Sequence, residues 1–263
     1  MKKNKHIERD GQKVTKIFDN RSLKVDYRTL QPLLKEGMRV LDVGCGTGAI
    51  SKDIAVLVGD TGKVIGIDNT EIFIESGKKT YKDIKNLELL SVDIFDYETL
   101  HKFDLIISAR VLQWLNNPEE ALVKMKSLLK PKGQISILDY NHQYLEWNPE
   151  PPKSMKLFYH TFLKWRSAAG MSNLMADELP ILFKKIGLQN IQELNSDEHY
   201  SRDREDFIPK VSIWSKVAGS KQMVKEGYLE DAIRLRAIEE YNNWVDKKAI
   251  SMTMKLKEVR GIN

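Results

Sequence analysis

A glycine-rich run directly after an apolar segment constrains this chain more than any other feature of its sequence. Residues 40–43 read Val-Leu-Asp-Val, which is typical of a buried strand in a parallel sheet. Gly44, Gly46 and Gly48 follow at alternate positions, and a helix is predicted over Ala49–Val58. Such a bend exposes backbone at the carboxyl end of a strand, where open α/β sheets bind ligands. The run therefore predicts an α/β fold with a ligand site at this bend.

Acidic residues stand at three consecutive strand ends. Asp42 precedes the first glycine by two residues, Asp68 ends a strand predicted over Val64–Ile67, and Asp93 follows one predicted over Leu87–Val92. An acid at the end of the second strand can accept hydrogen bonds from both ribose hydroxyls of a nucleoside. Each acid alone is also compatible with a solvated strand end, but three in succession indicate a nucleoside-containing ligand.

The bend leaves two alternatives open. Read as Gly44-x-Gly46-x-x-Ala49, it fits the dinucleotide fingerprint, in which a pyrophosphate approaches a helix N-terminus. A pyrophosphate has no use for the carboxylate of Asp42, and the third glycine, Gly48, comes two residues after the second. These features disfavour NAD, which stays an alternative beside a tight turn that binds no ligand.

Residues 41–48 read Leu-Asp-x-Gly-Cys-Gly-Thr-Gly, which resembles the first motif of the class I S-adenosylmethionine (SAM) methyltransferases. The resemblance implies SAM as cofactor and a three-layer, doubly wound, Rossmann-like sheet of seven mostly parallel strands. In that family the acid after the third strand, here Asp93, reads the adenine, and its apolar neighbour packs on the ring. The cofactor-binding residues implied are Asp42, Gly44, Cys45, Gly46, Gly48, Asp68, Asn69, Asp93, Ile94, Ala109 and Arg110.

Length and composition fit this interpretation. A chain of 263 residues with 41% apolar and 30% charged residues is sufficient for one large α/β core and an insertion. It has no run of about 18 or more apolar residues, and its first six residues lead into charge rather than a signal sequence. We therefore expect a cytoplasmic protein without membrane association. The single cysteine excludes an internal disulfide, and no ligand spacing predicts a metal site.

The alternation of predicted strands and helices divides the chain. Further strands are predicted over Phe103–Ala109, Gln134–Tyr140 and Ile191–Leu194, with Asn117 capping the helix that begins at Pro118. Alternating apolar residues from Ile250 onward indicate a terminal strand, which the family has as its seventh, antiparallel one. We predict a helical leader (1–36), a SAM-binding core (37–140), a helical lid insertion (141–175), more core (176–195), a second helical insertion (196–249) and the terminal strand (250–263).

Four residues are predicted to meet the methyl acceptor. Trp114 follows the fourth strand, where family members place residues between cofactor and acceptor, although core packing explains it equally well. His142, two residues beyond the fifth strand, is placed to act as a general base, unless it is a plain loop histidine. Tyr159 and Arg166 share one face of the lid helix. On another face, a packing stripe of helical spacing comprises Met155, Phe158, Phe162 and Trp165.

Missing motifs narrow the acceptor. The fourth strand ends in Ser108-Ala109-Arg110, without the Asp/Asn-Pro-Pro-aromatic motif of methyltransferases that act on planar nitrogens. No nucleic-acid-binding module is recognisable, so nucleic acid is not the expected acceptor. The net charge of +5 slightly favours an anion. We therefore predict a SAM-dependent methyltransferase of a small molecule, with no catalytic residue assigned. The alternatives are an RNA or protein acceptor, and a SAM-binding protein without turnover.

Overall fold

Seven strands form the central sheet of the computed structural model, which describes Lys5, Ile7 and residues 21–263. The strands are β1 (Arg39–Val43), β2 (Lys63–Asp68), β3 (Leu87–Ser91), β4 (Phe103–Ala109), β5 (Leu129–Tyr140), β7 (Gln189–Asn195) and β10 (Leu256–Ile262). Their order in the sheet is β3-β2-β1-β4-β5-β10-β7. All neighbouring strands pair in parallel except β10, which is antiparallel to both β5 and β7.

Helices cover both faces of this sheet, because successive side chains of a strand point to opposite sides. Val40 packs with α2 (Ala49–Val58) in one hydrophobic cluster. Leu41 packs with α4 (Pro118–Ser127) and α6 (Met175–Lys185) in another. A further helix, α3 (Glu71–Thr80), packs on β2 and β3. The predicted three-layer α/β fold is confirmed.

A mostly helical part lies beyond the carboxyl ends of β4 and β5, and we call it the lid. It is formed by the two segments that follow β5 and β7. Its helices are α5 (Lys153–Ala168), α7 (Phe207–Val211), α8 (Ile213–Ala218), α9 (Gln222–Lys225) and α10 (Asp231–Lys247). Helix α10 packs against α5 and α8, and the predicted packing stripe of α5 is buried throughout.

A second, three-stranded antiparallel sheet belongs to the lid and was not predicted. It has the order β6-β9-β8, with β6 (Glu146–Asn148), β8 (Glu198–Ser201) and β9 (Ser251–Met254). The prediction that the alternation from Ile250 to Leu256 marks the terminal strand of the core is wrong for β9. The terminal strand of the central sheet is β10, which begins at Leu256. A period of two shows that one strand face is buried but not which sheet contains the strand.

Other boundaries differ by a few residues. Strand β5 begins at Leu129 rather than Gln134, because the Lys-Pro-Lys-Gly sequence after α4 continues along β4 with a register shift. In the predicted leader, the described residues form a short helix α1 (Leu23–Asp26) and a 3-10 turn over Gln31–Leu33. The rest of the leader prediction falls largely outside the described residues. No helix in the described part of the chain is both long and apolar enough to cross a bilayer.

Candidate active site

The glycine bend has a backbone that only glycine adopts easily. Gly44, Gly46 and Gly48 all have left-handed φ angles, of 74°, 60° and 80°. The amides of Gly44 and Cys45 both donate to the carbonyl of Ile67 at the end of β2, at 2.8 and 3.0 Å. A Cβ atom on Gly44 would lie 2.3 Å from a methyl carbon of Val111. The bend therefore fits closely between β2 and the segment that follows β4.

One predicted acid binds the bend directly, and another is buried beside it. Asp68 accepts a hydrogen bond from the amide of Gly46 through Oδ2, and one from the amide of Thr70 through Oδ1, both at 2.9 Å. Asp42 lies buried below the bend, where the hydroxyl of Ser51 donates to its Oδ2 at 2.6 Å. Burial raises the pKa of Asp42 to about 6, and the negative charge of Asp68 contributes to this increase. The hydrogen bond from Ser51 acts in the opposite direction and lowers the pKa.

The third predicted acid lies beside the second. The side-chain amide of Asn69 donates to Oδ2 of Asp93 at 3.2 Å, which connects the ends of β2 and β3. The amide of Phe95 donates to Oδ1 of Asp93 at 3.1 Å, while Ile94 is buried. The predicted residues Asp68, Asn69 and Asp93 thus come together at one edge of the sheet.

The segment after β4 directs its arginine away from the bend. Arg110 has a left-handed φ of 63°, and its amide donates to the carbonyl of Leu138 at 2.7 Å. Its guanidinium donates to the hydroxyl of Tyr140 at 2.8 Å and to the carboxylate of Glu198 on β8. Burial alone would lower the pKa of Arg110, but Tyr140, Glu198 and Asp26 together raise it well above its usual value. Glu198 was not identified from the sequence.

The four predicted acceptor residues meet around Gln113, which the sequence analysis did not single out. Gln113 is almost fully buried in the 3-10 turn that follows β4. Its carbonyl accepts a hydrogen bond from Arg166 at 2.9 Å, and its Oε1 lies within hydrogen-bonding distance of Nε2 of His142. The Arg166 guanidinium lies 4.6 Å from the centre of the Trp114 ring, and the Tyr159 hydroxyl donates to the carbonyl of His142.

Aromatic rings surround His142. The centres of the Tyr140, Phe162 and Trp214 rings lie 5.3, 6.0 and 6.0 Å from the centre of the imidazole. Burial, and to a lesser extent the charge of Arg166, lowers the pKa of His142 well below its usual value. His142 is therefore neutral at physiological pH.

Arg166 carries a buried charge whose described hydrogen-bond acceptors are all neutral. They are the carbonyls of Gln113 and Ser172 and the side-chain oxygen of Asn173, at 2.8 to 2.9 Å. Burial lowers the pKa of Arg166 to about 10, so that it stays protonated at neutral pH. Nearby Asp139 weakly offsets this charge, because burial raises the pKa of its carboxyl to about 7. In the described part of the chain, Nη1 of Arg166 is buried without a partner.

No cluster of three or more metal-ligating side chains is found among the described residues. By their contacts, the predicted site residues form two groups. One is the glycine bend with its acids, and the other consists of the residues around Gln113. Val111 lies between them, since it packs on Gly44 and is two residues from Gln113.

Comparisons with known proteins agree with this fold. A family model for a methyltransferase domain matches residues 34–196. The chain is 26% identical to the demethylmenaquinone methyltransferase of Staphylococcus carnosus over 211 residues, which are 70% of this chain and 88% of that protein. It is 27% identical to the (S)-coclaurine N-methyltransferase of Papaver somniferum over 179 residues, 66% of this chain and 49% of that protein.

A solved structure shows the same fold. Phosphoethanolamine N-methyltransferase 2 of Haemonchus contortus, in complex with phosphomonomethylethanolamine and S-adenosylhomocysteine, superposes with a TM-score of 0.55. It is 14% identical, and the match covers 89% of this chain and 52% of that one. The chain also spans only about half the length of several curated relatives that it matches, between 45% and 49%.

Proposed function

The chain belongs to the class I SAM-dependent methyltransferase family, and on that premise we propose that it transfers the methyl group of SAM to a small-molecule acceptor. The glycine bend carries this proposal. Its left-handed backbone is tied to Asp68 through the Gly46 amide, beside Asp93 at the same sheet edge. This combination supports a nucleoside ligand, because ribose hydroxyls and adenine each need acceptors at separate strand ends.

The residues at the bend fit this cofactor. Each carboxylate oxygen can accept about two hydrogen bonds, and each oxygen of Asp68 accepts one backbone bond. Asp68 thus keeps acceptor capacity for the two ribose hydroxyls. We assign the adenine to Asp93 and Ile94, and the amino-acid end of the cofactor to the backbone at Ala109 and Arg110. When bound, SAM supplies a methyl group that its sulfonium already activates.

The lid supports a small acceptor. His142 and Tyr159 are buried, and the rings of Phe162 on α5 and Trp214 on α8 pack against them. Enclosed, ring-lined surroundings of this kind suit a small molecule better than an RNA or protein chain. The relatives named above are methyltransferases of a quinone and an alkaloid, which agrees with this acceptor class.

Arg166 supports an acceptor with a negative charge. A buried guanidinium without a paired carboxylate is costly, and an anion next to it offsets that cost. The Haemonchus contortus structure holds a phosphorylated acceptor, which is consistent with an anionic substrate. The task of the chain's own residues is then to hold this anion with its nucleophile in line with the methyl group, since orientation alone removes about 7–11 kcal/mol of a barrier.

Calorimetric titration with SAM and with NAD tests the cofactor. Wild-type protein is expected to bind SAM and not NAD. Asp68→Asn is expected to weaken SAM binding by about 1–3 kcal/mol, because a charged hydrogen-bond acceptor is lost. Asp60→Asn, at an exposed acid far from the bend, is the matched control and is expected to bind SAM like wild type. Equal SAM affinity of wild type and Asp68→Asn would remove Asp68 from the site.

Incubation with methyl-labelled SAM and a fractionated cell extract tests the acceptor class. Label in the small-molecule fraction supports the proposal. Label in the RNA or protein fraction favours a macromolecular acceptor instead. SAM binding with no label in any fraction identifies a binding protein without turnover.

A further inference from the structure

We propose that Gln113 is a positioning residue, which fixes His142 in the tautomer with its proton on Nε2 and leaves Nδ1 to take the proton of a hydroxyl acceptor. The first part stands on geometry alone, whereas the choice of acceptor rests on the proposed function. Together they narrow the substrate class from small molecules in general to molecules that are methylated on oxygen.

The orientation of the Gln113 amide follows from its neighbours. Its Nε2 lies 3.3 Å from the carbonyl of Arg110, which can only accept a hydrogen bond. The amide nitrogen must therefore face Arg110, which leaves Oε1 facing His142. Since Oε1 can only accept, Nε2 of His142 is the donor and carries the proton. In a neutral imidazole the other nitrogen, Nδ1, then has a free lone pair.

The backbone of Gln113 is held on both sides. Its backbone amide donates to the carboxyl of Asp139 at 3.1 Å, and its backbone carbonyl accepts from Arg166. The backbone of His142 is held in turn by the Tyr159 hydroxyl. No hydrogen bond to Nδ1 of His142 is present within the described residues, although the imidazole is enclosed by three rings. The free lone pair thus belongs to a ring held in one orientation.

The charges around His142 decide between a hydroxyl and an ammonium acceptor. Arg166 is the nearest cation, Asp139 is a carboxyl that burial keeps largely protonated below neutral pH, and the hydroxyls of Tyr140 and Tyr159 are uncharged. Burial, and to a lesser extent the charge of Arg166, keeps His142 neutral, and both disfavour a protonated amine in the same way. A hydroxyl carries no charge, and it becomes more acidic beside Arg166.

In the proposed step, a methyl group is transferred to the hydroxyl oxygen and the hydroxyl proton is released. The hydroxyl oxygen forms a bond to the methyl carbon with one of its lone pairs. The bond from that carbon to sulfur breaks, and sulfur keeps the electron pair as a neutral thioether. The hydroxyl proton passes to Nδ1 of His142 and then to solvent. The products are a methyl ether, S-adenosylhomocysteine and a proton.

Nitrogen NMR of the free 263-residue chain tests the tautomer. The chain has five histidines, so the loss of one imidazole signal set in His142→Asn assigns the residue. Wild type is expected to show the Nε2-protonated form. Gln113→Leu is expected to give a mixture of tautomers, and Gln113→Glu to raise the pKa of His142 by about 1–3 through a nearby negative charge.

Gln143→Leu, at the exposed neighbour of His142, is the matched control and is expected to leave the tautomer and the pKa of His142 unchanged. An Nδ1-protonated wild type would overturn the proposal. If Gln113→Leu does not fold, an unchanged His142 pKa in Gln113→Glu would overturn it equally. These outcomes are independent of turnover.

Incubation of wild type with [methyl-13C]SAM and a small-molecule extract of cells of the source organism tests the acceptor. O-methyl, N-methyl and C-methyl carbons resonate in separate regions, so the label identifies the bond formed. An O-methyl product supports the inference. An N-methyl or C-methyl product overturns the inference but leaves the proposed function intact, and the absence of any labelled product contradicts the proposed function itself.

Discussion

Arg166 on helix α5 donates a hydrogen bond of 2.9 Å to the backbone carbonyl of Gln113, in the turn that follows β4. The same guanidinium binds Ser172 and Asn173 and stacks on Trp114. A single side chain thus fastens the lid to the segment that borders the glycine bend.

Arg166→Lys is expected to lower the free energy of unfolding by about 1–3 kcal/mol. A lysine keeps the charge, but its single ammonium cannot reach all three acceptors, so that buried oxygens are left unpaired. Urea denaturation measures the change. Arg236→Lys, at an exposed arginine of α10 paired with Glu240, is the matched control and is expected to differ from wild type by less than about 0.5 kcal/mol. Equal stabilities of the two variants would contradict this role.

Gly44→Ala is expected to destabilise the protein more than Gly227→Ala does. Both glycines have left-handed φ angles, 74° and 77°, which cost an alanine about 1–2 kcal/mol. Only at Gly44 does the new methyl group collide with a neighbour, Val111, whereas a Cβ atom on Gly227 has nothing within 4 Å. Overpacking of this kind adds about 1–3 kcal/mol. Urea denaturation of both variants isolates the collision.

A double variant tests the collision by removing the side chain that the new methyl group meets. Gly44→Ala with Val111→Ala is expected to recover the part of the loss that comes from the collision, and to keep the part that comes from the backbone angle. If the double variant loses more free energy of unfolding than the two single variants together, the bend has a constraint other than this collision.

The sequence is most informative where hydrophobic periodicity coincides with residues that begin or end a helix or strand. The predicted bounds of α2 at Ala49–Val58 and of β4 at Phe103–Ala109 are those of the structure, because glycines or polar turns mark their ends. The cap at Asn117 is also as predicted, since its side chain accepts a hydrogen bond from the amide of Glu120. These signals are local, and each is contained in a few neighbouring residues.

The parts that the sequence did not predict depend on distant partners. Strand β6 has three residues, too few for a pattern, and its partner β9 lies far along the chain. The alternation of β9 shows a strand but does not show which sheet contains it. Arg110 binds Glu198 on β8, and no motif connects the two positions. Gln113 had a weak signal, because it stands next to Trp114 in the segment already selected for the acceptor. Its hydrogen bonds become apparent only when β4 and β5 are placed side by side.

Glu198→Gln is expected to lower the free energy of unfolding by about 3–5 kcal/mol. The variant removes the only carboxylate that accepts a hydrogen bond from the buried Arg110 within the described residues, and the remaining hydrogen-bond acceptors, the hydroxyl of Tyr140 and the carbonyl of Asp26, are neutral. Urea denaturation followed by circular dichroism measures the loss. Glu146→Gln breaks an exposed ion pair with Lys255 and is expected to cost less than about 1 kcal/mol. Similar losses in both variants would show that Arg110 does not need Glu198.

Asp139 makes stability depend on pH in a direction opposite to that of most carboxylates. Its pKa is about 7 in the folded protein because it is fully buried, although bonds from the amides of Tyr140 and Gln113 favour the charged form. The unfolded value is about 3.9. Below pH 4 both states are protonated, and this group adds no pH dependence. Between pH 4 and pH 7 only the unfolded state loses its proton, so that stability falls as the pH rises.

Asp139→Asn is therefore expected to gain stability relative to wild type as the pH rises from 4 to 7, by up to roughly 4 kcal/mol. A constant loss, from the one backbone bond that asparagine cannot accept, lowers the variant equally at every pH. Urea denaturation of both proteins in steps between pH 4 and pH 8 gives the difference, in which the parallel contribution of Asp42 cancels. A flat difference between Asp139→Asn and wild type would mean that Asp139 is ionised throughout this range in the folded protein.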